Sequence, residues 1–334
     1  MSWMKKILSR LRLTNEVTIK LYHGFGGVEQ LEIFGHVLQL SPLPRRKYRQ
    51  RIFSNMLALL RLFIVKPCPH TTVQLEWEGR VVTAIASDDG FFRLAWRPAV
   101  MPAAGWHDVT VSVAEEGLEH IHAKGVVFIP HRSQYGCISD IDDTFLISHS
   151  STIFKRMKIL LTRNARTRMP FEGVVQHYQL LSQREGGALP NPFFYVSSSE
   201  WNLYDYILEF SHTHELPLGV YLLSQLKPWY LLWKSGQNKH ATKFTRISRI
   251  LSSYPHMRFV LLGDDTQEDP NIYRALAVHF PEQIICIYFR HIRKDRFTAV
   301  SALVGEIKHM GIPCCYFSHS HEAIVHSRQI GLIS

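Results

Sequence analysis

The chain has 334 residues, 46% of them hydrophobic and 20% charged, which is the composition of a folded globular protein and excludes a disordered or fibrous one. Its 38 lysines and arginines outnumber its 28 aspartates and glutamates, so an anionic partner is expected, although charge alone does not choose among phospholipid head groups, nucleic acid and phosphorylated small molecules. The N-terminus lacks the apolar core and cleavage site of a signal peptide, and no stretch reaches the roughly 18 apolar residues of a transmembrane helix. The five cysteines have no metal-ligand spacing and favour reduced thiols in a cytoplasmic protein.

Residues 1–16 form an N-terminal amphipathic segment. Trp3, Ile7, Leu8 and Leu11 recur at helical spacing, with lysine and arginine between them. This pattern is typical of a helix that lies on an anionic membrane surface, and equally of a surface helix packed on its own domain.

Residues 17–130 predict a β-rich, sandwich-like domain, because apolar and polar residues mostly alternate between turn signals. The clearest predicted strands are 17–22, 72–77, 81–86, 91–96 and 109–113. The segment His23–Gly27 has no helix after it and predicts a hairpin or a bulge rather than a phosphate loop. A helical insertion near 48–65, basic and then apolar, is expected either to cap the sandwich or to dip into a membrane.

From residue 131 to residue 334 short buried-type strands alternate with helical patterns, which predicts an α/β domain with a parallel sheet and helices on both faces. The predicted strands are 135–141, 193–197, 218–223, 258–262 and 284–289. The predicted helices are 172–183, 201–212, 241–253 and 271–279. In sheets of this kind ligands bind at the carboxyl ends of the strands.

Three aspartates crowd into four positions at the end of the first of these strands, at Asp140, Asp142 and Asp143. Like charges so close together raise the cost of ionising one another. A bound cation, or a reaction that uses the charge, would remove this difficulty, whereas the alternative is an ordinary turn rich in aspartate. We therefore expect a metal-binding or catalytic site at this position rather than an ordinary turn.

Further polar groups follow the later strands. Ser197 ends the second strand, Lys243 lies in the first turns of a predicted helix, and the strand 258–262 runs into the acidic segment Gly263–Asp269. Carboxylates for a hard cation, a lysine for phosphate charge and a hydroxyl donor are the parts that a magnesium-dependent phosphoryl transfer needs. A carboxylate can attack phosphorus and split one difficult displacement into two easier ones, provided that cations offset the repulsion. A second carboxyl two residues later lies on the same side of an extended backbone and can carry the proton.

Two other metal sites fail on spacing. An EF-hand beginning at Asp140 would need glycine where Phe145 stands and glutamate where Ser151 stands. The histidine pairs at 120/122, 212/214 and 319/321 have no third ligand nearby, so zinc is not expected.

These residues resemble a known family. The elements Asp140-x-Asp-x-Thr144, Ser197, Lys243 and Gly263-Asp-(x)4-Asp269 match, in order, the four motifs of the haloacid dehalogenase superfamily of aspartate-nucleophile phosphatases. Over residues 130–333 the chain more narrowly resembles the actin-patch-type phosphatidate phosphatase catalytic domain, which is related to lipins. The stretches that carry this resemblance are Ser139–Thr144, Phe171–Val174, Tyr195–Tyr204, Pro217–Gly219 and Gly263–Tyr273.

The resemblance implies a haloacid dehalogenase-like (Rossmann-like) fold and a role for each motif residue. Asp140 would be the nucleophile, Asp142 the general acid and base, and Thr144 an orienting hydroxyl. Ser197 would hold the phosphate and Lys243 would neutralise it. The implied magnesium ligands are Asp140, the backbone of Asp142, Asp264, and Asp269 or Asp265. The sequence departs from the family at Ser198–Glu200, at Thr242 and at Asp265, none of which removes a catalytic group.

The implied function is Mg²⁺-dependent hydrolysis of phosphatidate to diacylglycerol by a cytoplasmic protein that can bind peripherally to a membrane. The anionic phospholipid is then the expected partner, and nucleic acid is not. Two alternatives remain, namely a phosphatase for a soluble sugar, nucleotide or polynucleotide phosphate, and a phospholipid-binding module without turnover. The basic segment Phe154–Arg168 is expected to lie over the site and either to dock on an anionic bilayer or to form a solvated helix face.

Overall fold

The structure of the chain is a computed structural model that describes residues 13–14, 16–27, 29–42, 61–100, 102–131, 134–141, 173–183, 189–226 and 239–334. Most of the N-terminal segment, most of the insertion near 48–65, the basic segment 154–168, and the predicted site residues Asp142 and Thr144 lie outside these ranges. The predictions for them stay predictions.

The first ten strands of the described ranges form one hydrogen-bonded sheet, here called the N-terminal sheet. They are β1 (Leu13–Thr14), β2 (Thr18–Leu21), β3 (Gly24–Gly26), β4 (Leu31–Pro42), β5 (Lys66–Pro67), β6 (Thr72–Trp77), β7 (Arg80–Ile85), β8 (Phe91–Trp96), β9 (Gly105–Val113) and β10 (His122–Ile129). All pairs are antiparallel except β3 with β10. The five strands predicted from alternation are present, and the segment His23–Gly27 enters a hairpin between β3 and β4, as predicted.

The strand β4 organises the N-terminal sheet, because it pairs with β1, β2, β3, β5 and β8. Its first eight residues are all buried, so the strand does not alternate between buried and exposed positions. This explains why alternation did not predict it. The described part of the insertion near 48–65 is a 3₁₀ turn, Arg61–Phe63, followed by the chain that leads into β5.

The remaining strands form a six-stranded parallel sheet, here called the C-terminal sheet. Its strands are β11 (Gly136–Asp140), β12 (Phe193–Glu200), β13 (Gly219–Ser224), β14 (Phe259–Asp264), β15 (Ile284–Arg290) and β16 (Cys314–Phe317), in the spatial order β13-β12-β11-β14-β15-β16. The parallel α/β architecture is therefore confirmed. The order reverses at β11, which lies between β12 and β14, and such a switch point is where open parallel sheets bind ligands.

The described helices of this part alternate with its strands. They are α1 (Val174–Ser182), α2 (Tyr204–Thr213), α3 (Lys239–Ser253), α4 (Asp269–His279), α5 (Phe297–His309) and α6 (Ser320–Gln329). The first four were predicted within a few residues, whereas β16 and the last two helices were not predicted. No helix in the described ranges is both long enough and apolar enough to cross a bilayer.

Two clusters of buried side chains form the core. The smaller lies within the N-terminal sheet and includes Ile33, Leu94 and Val111. The larger joins both sheets, because Tyr22 and Phe25 belong to it together with residues of the C-terminal sheet. All five cysteine thiols are free, and those of Cys137, Cys286 and Cys314 are buried, as expected for core thiols.

The two sheets contact each other through aromatic and polar groups. The ring of Tyr22 stacks on Trp201 with 3.9 Å between the ring centroids. Lys20 Nζ lies 2.7 Å from Asp205 Oδ2, and the backbone N–H of His23 donates to the hydroxyl of Tyr204 at 3.0 Å. The N-terminal sheet is therefore packed on the side of the C-terminal sheet that carries β12 and α2.

Candidate active site

The candidate site lies at the carboxyl edge of the C-terminal sheet. Asp140 is the last residue of β11 and Asp264 the last residue of the adjacent β14, and both are fully buried. The register pairs Ser139 with Leu262, which places the two strand ends side by side. An uncompensated carboxylate is costly to bury, so these two side chains need cations or hydrogen-bond donors around them.

Lys243 supplies a buried positive charge at this edge. It lies in the second turn of α3, its side chain is 3% exposed, and its Nζ is 3.0 Å from Asp140 Oδ1. The same ammonium also donates to Oδ1 of Asp269, at the start of α4. Lys243 therefore ties the end of β11 to the segment that follows β14, as a charge-assisted bridge between two carboxylates.

The close approach of Asp269 depends on glycine at position 263. A Cβ atom built on Gly263 would lie 2.7 Å from Asp269 Oδ2 and 2.9 Å from the ring of Tyr273. Any other residue would displace one of them. The glycine of the predicted motif thus has a steric role, because it lets the carboxylate of Asp269 pack against the backbone of β14.

The buried phenol of Tyr273 lies close to the carboxylates of the site. Burial raises the pKa of Tyr273, and the charges of Asp269, Asp140 and Asp264 raise it further. The hydroxyl itself donates to the carbonyl of Leu262 at 3.0 Å. Three of the five acidic residues predicted for the site, Asp140, Asp264 and Asp269, are therefore brought together.

Asp264 is oriented by the turn that follows it. Its Oδ1 accepts hydrogen bonds from the backbone N–H of Thr266 at 2.7 Å and from the Thr266 hydroxyl at 2.6 Å. The buried Arg290 is opposite Asp264 in the register of β14 and β15, and its guanidinium donates to Oγ of Ser320. Burial lowers the pKa of Arg290, and Asp264 opposes this shift.

Asp265, predicted as a metal ligand, faces a different set of donors. Its Oδ1 accepts from the backbone N–H groups of Ile292 at 2.8 Å and Arg293 at 3.0 Å. Its Oδ2 accepts from the hydroxyl of Tyr316 at 2.7 Å and lies 2.8 Å from His291 Nδ1. Both oxygens are thus engaged by the loop after β15 and by β16, so Asp265 holds that loop rather than joining Asp140.

Ser197, the predicted phosphate-binding hydroxyl, lies on the other side of β11. Val196 is opposite Asp140 in the register of β11 and β12, so Ser197 immediately follows the paired residue. Its Oγ accepts a hydrogen bond from the backbone N–H of Ser199 at 2.9 Å. The hydroxyl is therefore buried and fixed by its own turn at the same edge as Asp140.

Sequence reasoning missed two buried or half-buried arginines near these groups. Arg246 lies one turn after Lys243 on α3 and reaches the backbone of Ser197, whereas Arg290 lies beside Asp264. It also missed Tyr178, whose hydroxyl is 2.9 Å from Ser139 Oγ, next to Asp140. The spacing of Arg246 from Lys243 is the one signal that could have indicated it, since residues three apart share a helix face.

The oxygen donors of the site suit a hard cation such as Mg²⁺. Asp140, Asp264 and Asp269 supply carboxylate oxygens, and Asp269 Oδ2 is buried with no hydrogen-bond partner among the described residues. Within the same ranges no group of three or more histidine, cysteine, aspartate or glutamate side chains is arranged as a complete metal site. Asp142, which the family resemblance assigns to the metal, lies outside those ranges. The oxygen donors thus fit a cation, whose shell the described residues do not complete.

Residues 135–291 match the family model described as the catalytic domain of phosphatidate phosphatase APP1. This segment contains every residue of the site described above except Ile292, Arg293 and Tyr316, which contact Asp265, and Ser320, which contacts Arg290. Residues 135–291, a little under half of the chain, are therefore similar to the APP1-type catalytic domain family, and the resemblance predicted from the motifs is confirmed.

Two curated proteins are similar to part of this chain. Phosphatidate phosphatase APP1 of Saccharomyces cerevisiae is 29% identical over 157 residues, which are 46% of this chain and 25% of the yeast protein. The uncharacterized protein C29B5.04c of Schizosaccharomyces pombe is 26% identical over 175 residues, which are 49% of this chain and 26% of that protein. The chain thus spans about a quarter of the length of these relatives.

Similarity to solved structures is weak. A bacterial ice-binding adhesin, for example, is aligned at a TM-score of 0.19 and 11% identity, over 35% of this chain and 32% of that chain. This value is too low to bear on the fold.

Proposed function

We propose that the chain is a magnesium-dependent phosphatidate phosphatase of the haloacid dehalogenase superfamily, which hydrolyses phosphatidate to diacylglycerol and phosphate. The observation that supports this most directly is the buried ammonium of Lys243 between Asp140 and Asp269, beside Ser197 at the carboxyl edge of a parallel sheet. The lipid substrate is suggested by the name of the yeast relative. Peripheral binding to a membrane, where such a substrate lies, is part of the proposal.

The proposed reaction has two displacements at phosphorus. In the first, a carboxylate oxygen of Asp140 attacks phosphorus, the bond from phosphorus to the lipid oxygen breaks, and an aspartyl-phosphate forms. Asp142 gives its proton to the leaving oxygen of diacylglycerol. In the second, water attacks the same phosphorus, Asp142 takes a proton from the water, and Asp140 is released with inorganic phosphate.

The side chains around Asp140 would bind and orient the phosphate. Lys243 offsets the negative charge of the phosphate oxygens as the charged nucleophile approaches, and Asp269 keeps its ammonium in place. The hydroxyl of Ser197 would donate to the phosphate, whereas that of Thr144 would have an orienting role. Because Lys243 is already buried and paired, little reorganisation is needed when the substrate binds.

Magnesium would be held by Asp140, by Asp264 and by the backbone carbonyl of Asp142. When bound, it would supply the further positive charge that phosphoryl transfer needs. Asp269 remains a candidate for completing the shell, whereas we leave Asp265 out, because both of its oxygens are bonded to the 291–293 loop and Tyr316.

The Asp140→Asn substitution tests the proposal. We expect phosphate release from phosphatidate vesicles in the presence of Mg²⁺ to fall on the order of a thousandfold or more, because the nucleophile is lost. Binding to the same vesicles should be retained. The matched control is Asp108→Asn, which removes an exposed carboxylate on β9 and should leave the rate unchanged.

The substrate assay should compare phosphatidate vesicles with soluble sugar and nucleotide monophosphates, with and without a magnesium chelator. Full activity of Asp140→Asn would reject the aspartyl-phosphate mechanism. Turnover of the soluble esters alone would reject the lipid substrate, and activity that survives chelation would reject the metal requirement. Lipid binding without any turnover would identify a binding module.

A further inference from the structure

The carboxyl end of β12 contains a bulge at the site. In the register with β13, Val196 is opposite Leu222, but the next pair is Glu200 with Ser224. Four steps along β12 therefore correspond to two steps along β13, so two extra residues are inserted around Ser197–Ser199. Residues in a bulge lose their partners in the ladder, and bulges near sites often redirect a side chain.

Arg246 bonds to both strands at this bulge. Its Nη1 donates to the carbonyl oxygen of Ser197 at 3.0 Å, and its Nη2 donates to Oγ of Ser224 at 3.1 Å. The carbonyl belongs to the first residue of the bulge, and Ser224 is the last residue of β13. A planar guanidinium can hold two acceptors in a fixed relation to each other, which lysine cannot do.

The helix α3 places Arg246 one turn from Lys243, on the same face. Lys243 thus contacts residues of β11 and α4, whereas Arg246 bonds to residues of β12 and β13. We infer that Arg246 is a positioning residue for phosphate binding: it clamps the bulge of β12 onto the end of β13 and so fixes the hydroxyl of Ser197 relative to Asp140 and Lys243.

The kinetic consequence of this inference rests on the proposed phosphatase function. Its structural consequence, the fixed position of the bulge in β12, does not. If Arg246 acts through Ser197, removing the arginine should matter only while the Ser197 hydroxyl is present. If Arg246 instead touches the phosphate itself, its loss should reduce turnover whether or not Ser197 is present. The two cases therefore predict different double-mutant results.

A double-mutant cycle with Arg246→Gln and Ser197→Ala distinguishes these cases. On phosphatidate vesicles we expect Arg246→Gln to raise KM and lower kcat/KM about tenfold, and Arg246→Lys to recover only part of this loss. In the Ser197→Ala background, Arg246→Gln should cause less than a twofold further change. Additive losses, or full recovery with lysine, would overturn the inference.

Hydrogen exchange tests the clamp without any substrate. We expect the backbone amides of residues 193–200 to exchange at least severalfold faster in Arg246→Gln than in the wild type. The matched control is Arg249→Gln, one turn further along α3. The positive charge of Arg249 instead opposes the rise that burial causes in the pKa of Glu32, in the N-terminal sheet. Unchanged exchange over 193–200 in Arg246→Gln, or equal acceleration in the control, would overturn the inference. If the wild-type protein were inactive, the proposed function would be rejected, whereas hydrogen exchange over 193–200 would still test the clamp.

Discussion

The buried side chain of Lys243 shows how single residues determine this site. Removing an ammonium from water costs several kcal/mol, and the cost is offset only where carboxylates with good geometry surround it. Asp140 and Asp269 provide them, the first at 3.0 Å from Nζ. The positive charge is thereby fixed before any anion binds, which is the condition under which it assists a reaction at phosphorus.

A second buried network at the scale of residues gives the protein a pH-dependent stability. His177 is 2% exposed, and its Nε2 lies 2.9 Å from Oγ of Ser327, which is also 2.6 Å from the hydroxyl of Tyr288. Burial is the main cause that lowers the pKa of His177 to about 3, and the positive charges of the neighbouring Arg290 and His326 contribute to this shift. The folded protein therefore keeps this imidazole neutral at pH values where an unfolded histidine, with a pKa of about 6.5, binds a proton.

Because the folded pKa is the lower one, the contribution of His177 to stability is fully present above about pH 6.5 and is lost as the pH falls towards 3. Within this window each pH unit should cost about 1.4 kcal/mol. We expect His177→Asn to lower the stability at neutral pH, yet to show a shallower decline between pH 6.5 and 4. Urea unfolding at a series of pH values measures both effects, and an unchanged slope would contradict the assignment.

At the scale of elements, the junction between β14 and α4 is built around the missing side chain of Gly263. The buried Asp269 and Tyr273 both occupy the space that a Cβ atom would take, and each is fixed by a further bond, to Lys243 and to the carbonyl of Leu262 respectively. Neither can give way without moving a partner. A side chain at position 263 would therefore disturb the ion pair between Asp269 and Lys243.

We predict that Gly263→Ala destabilises the protein by about 1–3 kcal/mol, as overpacking does. It should also lower kcat/KM by on the order of a hundredfold, because a shift of about 1 Å in a catalytic group has effects of this size. Urea unfolding and the vesicle assay measure the two quantities.

The control for this substitution is Gly305→Ala, in the middle of α5. A Cβ atom there has no described neighbour within 4 Å, so alanine should stabilise the helix by up to about 1 kcal/mol and leave the activity unchanged. If both alanine variants behaved alike, the steric explanation of Gly263 would be wrong.

The whole molecule is held together by a core that runs through both sheets. Phe25 and Phe34 of the N-terminal sheet belong to the same buried cluster as Phe194 and Trp201. The stacked pair of Tyr22 and Trp201 and the ion pair of Lys20 with Asp205 cross this interface. Such an extensive apolar contact favours unfolding of the two sheets as one unit.

We predict that Trp201→Ala lowers the free energy of unfolding by about 3–5 kcal/mol, as for other large buried aromatic residues. The loss should appear in a single unfolding transition. Its midpoint should be the same whether unfolding is followed by the β-sheet signal or by hydrogen exchange in either sheet. Leu218→Ala, which truncates a side chain that is 62% exposed, should change the stability by less than about 0.5 kcal/mol. Two separate transitions, of which only one responded to Trp201→Ala, would show that the sheets fold independently.

The sequence predicted the C-terminal sheet well, because its strands are short apolar runs whose alternation with helical patterns is a local property. It did not predict β16, since the four residues Cys314–Phe317 are too few to show a period. It also did not predict β4, whose consecutive burial comes from strands that pair with it and pack over it. Burial on both faces is a tertiary fact that alternation along one strand cannot show.

The same division holds at the site. The resemblance to the family followed from the sequence alone, as did the placement of Asp140, Ser197 and Asp264 at one edge of the sheet, because residues near the ends of parallel strands converge there. Lys243 lies on α3, and its approach to Asp140 comes from the packing of that helix. Only the tertiary structure decided that Asp269 pairs with Lys243, that Asp265 turns to the loop after β15, and that Arg246 reaches Ser197. These partners are separated by 26, 27 and 49 residues along the chain. Which donor reaches which acceptor is determined by the packing of helices on the sheet and by a bulge in one strand, and neither of these is a property of local sequence.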